Sequence, residues 1–266
     1  MTLRIQILRS LPILLLALSN LASADVLKDI LDRGTIRFGV AEFVPWTMKS
    51  RSGELIGFEI DIANKIAKDM GVKAEFKLYP WDKVIPAVQS GEIDILTGGM
   101  SITPSRALQV NFSRPTADSG VGLATNTSKT QNIKTLEELN SPDITIAVVN
   151  GTLAHGVSQT LFDRATVKVF PTAVLAGKAC VEGEAHAYLA SLTQTRFLAL
   201  NNSDKVDLPV KKPLLASKEA LAIRKGEQEL LNFLNAWVTA RQADRWIATT
   251  RDYWFGTLEW AEDVIK

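Results

Sequence analysis

Thr35-Ile36-Arg37-Phe38-Gly39-Val40, followed by Phe58-Glu59-Ile60-Asp61-Ile62-Ala63-Asn64-Lys65-Ile66-Ala67-Lys68-Asp69-Met70-Gly71, sets the architecture of the chain. The first run alternates and is rich in β-formers, and Pro45 breaks it. In the second, Phe58, Ile60, Ile62, Ala63, Ile66, Ala67 and Met70 form the apolar stripe of a helix, and Gly71 stands where a C-cap belongs. Working outward, Asp25 to Arg33 reads as a short amphipathic helix closed by Gly34, and Gly53 marks a turn before Leu55-Ile56-Gly57. Val72 to Leu78 alternates as a second strand, Trp81 to Val88 is helical, and Ile93-Asp94-Ile95-Leu96 is a short buried strand ended by Gly98-Gly99. This β-α-β-α-β order predicts a mostly parallel sheet with helices on its faces.

The pattern runs a second time after the polar connection Asn126 to Asn132. Strands are predicted at Ile144–Val149, Val167–Phe170 and Ala187–Ala190, with helices at Leu153–Phe162 and Ala173–Val181. Glu219-Ala220-Leu221-Ala222-Ile223 reads as one further strand, and Glu227 to Ala240 as a long helix carrying Leu230, Leu231, Phe233, Leu234, Trp237 and Val238. Ligands of open α/β sheets sit beyond the C-terminal ends of the strands, so two such lobes facing each other enclose a cleft.

The 266 residues, 46% hydrophobic and 22% charged, suit a globular protein of one large domain or two smaller ones. Thirty Lys+Arg against 29 Asp+Glu leave no basic field for a nucleic-acid partner. One cysteine, Cys180, excludes an internal disulfide framework and is expected to be a buried, inert thiol, and two histidines, His155 and His186, leave little for a metal centre. His186 is expected at the surface, whereas His155 could approach the cleft. Residues 1–24 read as a secretory signal: Arg4 and Arg9 give a positive start, Leu11 to Leu18 is aliphatic, and Ala22-Ser23-Ala24 offers a small-x-small cleavage site. Cleavage there leaves 242 residues with 28 basic against 29 acidic side chains. No cysteine follows the aliphatic run to carry a lipid, so a soluble exported protein is expected.

The chain resembles the extracellular solute-binding proteins of bacterial ABC importers that capture polar amino acids. The resemblance covers nearly all of 25–266. It is carried by Gly57-Phe58-Glu59-Ile60-Asp61-Ile62-Ala63, by Trp81-Asp82-Lys83-Val84-Ile85-Pro86-Ala87, and most specifically by Gly99-Met100-Ser101-Ile102-Thr103-Pro104-Ser105-Arg106 ahead of Asn111-Phe112-Ser113-Arg114-Pro115. It implies a periplasmic, two-lobed fold of the periplasmic-binding-protein type, each lobe a mostly parallel sheet flanked by helices. The first lobe would comprise 25–121 and 219–266, the second 122–218, joined by two crossing strands near Gly120–Ala124 and Ala216–Ala222. Residue by residue, Arg106 matches the arginine that forks onto a ligand carboxylate, with Ser101 and Gly99 beside it, and Gly151-Thr152 resembles the carboxylate-binding turn of the second lobe. A guanidinium suits that task because its paired donors match both carboxylate oxygens, and the Thr103-Pro104 helix start would add backbone N–H groups. Phe43 and Trp46 lie where the family places one aromatic over the ligand, and Trp81 where it places another.

Where amino-acid binders of the family carry an aspartate for the ligand ammonium, this sequence has Ser191. Where binders of cationic side chains carry an acid in the first-lobe loop, it has Val40, with Glu42 nearby. Arg114 and Thr116 replace the usual Asp and Tyr of the Phe-Ser-x-Pro segment. The expected ligand is therefore a small carboxylate-bearing solute, an amino acid or a related organic acid, taken up by hinge closure and delivered to a membrane permease by a monomeric binding protein. No catalytic residue, metal or cofactor is assigned. A sensing accessory protein could use the same clamp. A related branch of the fold, similar to a periplasmic cyclohexadienyl dehydratase, needs a carboxylic acid where Gln194 stands, and glutamine has no proton to give near neutral pH.

Overall fold

The computed structural model describes residues 25–257 together with Trp260 and Val264; the predicted signal segment, 1–24, lies outside the described residues. The first helix, α1 (Val26–Arg33), has its first turn capped by Asp25, which accepts from the Lys28 amide, and its last by Gly34. β1 (Thr35–Val40) follows, then the antiparallel pair β2 (Met48–Lys49) and β3 (Leu55–Ile56). α2 (Phe58–Met70) buries Phe58, Ile62, Ala63, Ile66 and Ala67, and the Gly71 amide closes it on the Ala67 and Lys68 carbonyls. Next come β4 (Lys73–Leu78), α3 (Val84–Gln89) and β5 (Ile95–Leu96). Both β4 and β5 run parallel to β1, with Thr35 opposite Lys73 and Phe38 opposite Ile95.

A single helical turn, α4 (Pro104–Ala107), and β6 (Asn111–Phe112) lead into the ten-residue β7 (Ala117–Asn126). The second unit comprises β8 (Thr145–Val149), α5 (Leu153–Leu161), β9 (Thr166–Phe170), α6 (Ala173–Val181), β10 (Ala187–Ser191), α7 (Leu192–Asn201) and β11 (Val206–Asp207). β8 pairs in parallel with both β9 and β10. The chain ends its described course with β12 (Leu215–Glu219), β13 (Ala222–Ile223), α8 (Gln228–Ala243) and α9 (Trp246–Asp252).

Each sheet is mixed rather than purely parallel. The first runs β4-β1-β5-β13-β6, with β13 antiparallel to both neighbours; in the second, β7 is antiparallel to β10, β11 and β12. The antiparallel members are the segments that pass between the two units or return from them. Each sheet is covered on both faces. One core joins α2 and α8 to β1 through Phe38, Phe58, Ile66, Leu234 and Trp237, and another lies under α3 around Val84, Val88 and Ile93. In the second unit α5 packs over Ile146, Val148 and Leu189, while α6 covers Ala147 and Tyr188. Fully burying an aliphatic or aromatic side chain of this kind contributes about 1.5–3 kcal/mol, and each sheet gains this on both of its faces.

β7 and β12 cross from one unit to the other as an antiparallel pair, Leu215 opposite Val121 and Glu219 opposite Ala117. Ala117 packs into the first core, whereas Val121 and Leu123 pack into the second. The run Glu219–Ile223, predicted as one strand, is divided. Glu219 ends β12 beside Ala117 and bridges Ser101, the Ala220 amide donates to the Met100 carbonyl, and Ala222 and Ile223 then pair with Leu96, Phe112 and Asn111. The chain changes sheets at this point because its two ends have different partners.

Candidate functional site

A narrow cleft lies between the two units, with about 440 Å³ of empty space when the solvent at its mouth is counted. From the first unit Phe43, Trp81, Gly99, Ser101 and Arg106 line it; from the second, Thr152 and Ser191 do. Gly151 sits at its edge, exposed, and its carbonyl accepts hydrogen bonds from across the cleft: Trp81 Nε1 at 3.2 Å and Arg106 Nη2 at 3.1 Å.

Arg106 is 8% exposed. Its Nη1 donates to the Ser101 carbonyl at 2.8 Å, which leaves Nη2 directed at the opposite wall. Burial pulls the guanidinium down to about 10, against the opposing influence of Glu219, so it stays charged at neutral pH. The Trp81 ring lies 5.8 Å from the guanidinium carbon and stacks on Phe43 with centroids 5.7 Å apart, giving a cationic fork backed by an aromatic pair. The start of α4, Thr103 to Ser105, does not line the cleft. The helix is one turn long, and the Arg106 amide is satisfied by the Thr103 hydroxyl at 3.2 Å.

In the second unit, Thr152 caps α5 by accepting from the His155 amide at 3.2 Å. His155 does not line the cleft. Its Nδ1 accepts from the Gly151 amide at 3.4 Å and so braces the turn from behind. Ser191 caps α7, accepting from the Gln194 amide at 3.3 Å, and Gln194 itself is buried and lines the cleft, hydrogen-bonded to the Tyr188 hydroxyl at 3.4 Å.

Trp46 is not a cleft residue. It is 1% exposed, edge-on to Phe58 and 4.5 Å from Phe255. The loop reverses between Phe43 and Thr47, which exchange backbone hydrogen bonds at 2.8 and 2.9 Å, so Phe43 faces the cleft while Trp46 packs against α2. Val40 is fully buried in β1 and Glu42 is exposed outside the cleft. Arg114 is also exposed, while buried Thr116 donates its hydroxyl to the Glu219 carbonyl at 3.3 Å. His186 is half-buried, with Nδ1 accepting from the Thr145 amide at 3.1 Å. Cys180 is free and fully buried, its thiol pushed up to about 12 by burial.

Two buried acids, one behind the cleft wall and one on its floor, are not among the residues predicted for the site. Glu59, at the start of α2, accepts from the Gly99 amide at 3.1 Å and from the Thr97 hydroxyl. Glu219, at the end of β12, lines the cleft floor and is 2% exposed. A lone acid ending the apolar run Glu219–Ile223 is the sequence signal that could have marked it. Burial pushes the Glu59 carboxyl up to about 6, although both hydrogen bonds pull it down. A carboxyl that holds its proton more tightly when folded loses stability as pH rises through that interval. Ionisation should therefore cost about 2 kcal/mol between pH about 4.5 and pH about 7. Glu59→Gln keeps its oxygen on the Gly99 amide and can turn its Nε2 donor to the Thr97 oxygen without the charge, so its urea-unfolding free energy should gain on wild type by that amount across the interval. A difference independent of pH would contradict this assignment.

The sequence model of the bacterial extracellular solute-binding proteins, family 3, matches residues 36–257. The chain belongs to that family. Within the family, the L-cystine-binding protein of Escherichia coli is 25% identical over 251 residues, spanning 91% of this chain and 90% of that protein. Among solved structures, an ancestral amino-acid-binding protein described as a precursor of cyclohexadienyl dehydratase is similar at a TM-score of 0.80 and 33% identity, covering 87% of this chain and 100% of the other. A protein of Wolinella succinogenes, described as a binding component of an ABC transporter complexed with lysine, reaches a TM-score of 0.81 at 29% identity, covering 86% and 99%. The two-lobed fold of these solute-binding proteins is thus the fold of this chain.

Proposed function

We propose that this protein is the periplasmic binding component of an ABC importer and captures a small carboxylate-bearing solute, an amino acid or a related organic acid, between its lobes. The observation that carries this reading is Arg106: a buried guanidinium with one donor fixed on Ser101 and the other aimed across the cleft at the Gly151–Thr152 turn. A ligand carboxylate takes the Nη2 donor that Gly151 now occupies and faces the start of α5, while Phe43 and Trp81 cover the rest of the molecule. Closure follows because the bound solute contacts both lobes at once and so stabilises the closed form over the open one. Lobes of 25–121 with 219–266, and of 122–218, would turn about the β7–β12 pair. A cleaved leader at 1–24, a monomeric state and a membrane permease as partner complete the proposal.

Binding without chemistry is the reading adopted for Gln194, since the amide has no proton to donate to a leaving group. With Val40 inside β1 and Glu42 outside the cleft, the first-lobe loop offers no acid to a cationic side chain, and a solute such as lysine or arginine is not expected. A thermal-shift screen over amino acids, organic acids and sugars tests the proposal. A specific ligand at about 100 times its Kd adds about 2.7 kcal/mol, which for a chain of this size raises Tm by roughly 5–10 °C. Shifts from sugars, with none from any carboxylate-bearing solute, would overturn it.

A further inference from the structure

We propose that Glu219 receives the α-ammonium of the bound solute, in place of the acid missing at Ser191, which makes the ligand a zwitterionic amino acid rather than a simple organic acid. This rests on the carboxylate-binding reading of Arg106 and extends it to the second charge of the ligand. Glu219 is 2% exposed, lines the cleft, and its buried Oε2 has no hydrogen-bond partner among the described residues. Its position is fixed by backbone on two sides. It pairs with Ala117 across the crossing strands, bridges Ser101, and its carbonyl accepts from the Thr116 amide at 2.8 Å. The carboxyl is therefore held beside the segment that also anchors Arg106, and no ion pair or hydrogen bond links the two side chains directly.

The charges around Glu219 are Arg106, Arg251 and Glu59. The Ser119 hydroxyl lies near enough to favour its charged form without hydrogen-bonding Oε2. Burial holds the carboxyl well above the usual range, and the neighbouring Glu59 pushes the same way, so the unliganded cleft favours the protonated form of Glu219. A buried acid with an oxygen left over is costly unless something with complementary charge arrives. A zwitterion supplies both complements: its carboxylate meets Arg106 and its ammonium meets Glu219. Ser191 cannot fill that role, because its hydroxyl already caps α7 and carries no charge.

An ammonium beside Glu219 favours the charged carboxyl, so binding releases the proton that the free cleft holds there and affinity rises with pH up to the carboxyl's own titration. Isothermal titration of the tightest-binding standard L-amino acid, in phosphate and in Tris buffer at one pH, reads this directly because the two buffers absorb the released proton with different heats. We expect proton release on binding, at least about 100-fold weaker binding of the matching α-hydroxy acid, and a similar loss in Glu219→Gln, which should also abolish the release. Glu219→Asp should recover part of the affinity. Unchanged affinity and proton count in Glu219→Gln, or organic acids binding in preference to amino acids, would overturn the role of Glu219 while leaving that of Arg106 standing. If no carboxylate-bearing solute binds the wild-type protein, the binding reading itself fails and this proposal with it. Should Glu219→Gln not fold, the wild-type comparison decides alone: an α-hydroxy acid that binds as tightly as its matching L-amino acid overturns the assignment.

Discussion

Replacing Arg106 by Ala should reduce the affinity for any carboxylate-bearing solute by about 100- to 1000-fold while leaving the secondary structure intact. The size follows from the setting. Arg106 is buried, one donor is tied to the Ser101 carbonyl, and the face of the guanidinium is covered by Trp81, so little rotamer entropy remains to be lost when a ligand arrives. Removing one partner of a buried, hydrogen-bonded charge pair costs about 2–5 kcal/mol, and the ligand carboxylate would be left desolvated against an apolar wall. Arg106→Lys should recover little of the loss, because an ammonium is a point charge that cannot hold Ser101 and the ligand at once in the plane of a fork. Isothermal titration measures the loss, and far-ultraviolet circular dichroism checks the fold. Affinity within threefold of wild type would remove Arg106 from the binding role. Urea unfolding should register only a modest change, since the fold's larger cores lie elsewhere, around α2, α8 and the second sheet.

The alternation of strands and helices is legible because each element carries its own period and its own stop. α2 is bounded by the stripe from Phe58 to Met70 and by Gly71, and Phe38, two residues before Val40, sits in the same core. Arg106, Ser101, Trp81 and the Gly151–Thr152 turn are reached through the family resemblance that the short motifs around them carry, and the structure brings them together at one cleft. What the sequence hides are the decisions made at long range. Phe43 and Trp46 are three residues apart in one loop, and no local feature says which faces the ligand; Phe58 and Phe255, from distant parts of the chain, take Trp46 into the core. The division of Glu219–Ile223 likewise depends on Ala117 and Ser101 on one side and on Phe112 and Leu96 on the other. Periodicity reports that a segment is extended and apolar. It does not report that the segment changes sheets in its middle and leaves an acid on the cleft floor.

Gly57→Ala should be severely damaging although it touches no ligand contact, lowering stability by about 4 kcal/mol and Tm by roughly 10 °C or more. Gly57 has φ of 136°, and a Cβ there would lie 2.3 Å from the Trp46 carbonyl oxygen and 2.9 Å from that of Pro45. Those carbonyls cannot step aside cheaply. They accept the first two amides of α2, Phe58 to Pro45 at 3.1 Å and Glu59 to Trp46 at 2.9 Å, so the helix start and the aromatic loop are one backbone joint. Forcing the joint open strands two helix donors, tilts the loop that carries Phe43, and moves Glu59, whose carboxyl holds the Gly99 amide in the cleft wall. Loss of stability and loss of affinity should therefore appear together. Gly53→Ala separates backbone strain from collision: Gly53 has φ of 86°, and a methyl added there would meet nothing within 4 Å, so only the left-handed conformation is penalised, about 1 kcal/mol. Differential scanning calorimetry of the two variants makes the comparison. A Gly57→Ala protein that melts no lower than the Gly53→Ala protein would show that the joint between the loop and α2 is not the constraint described.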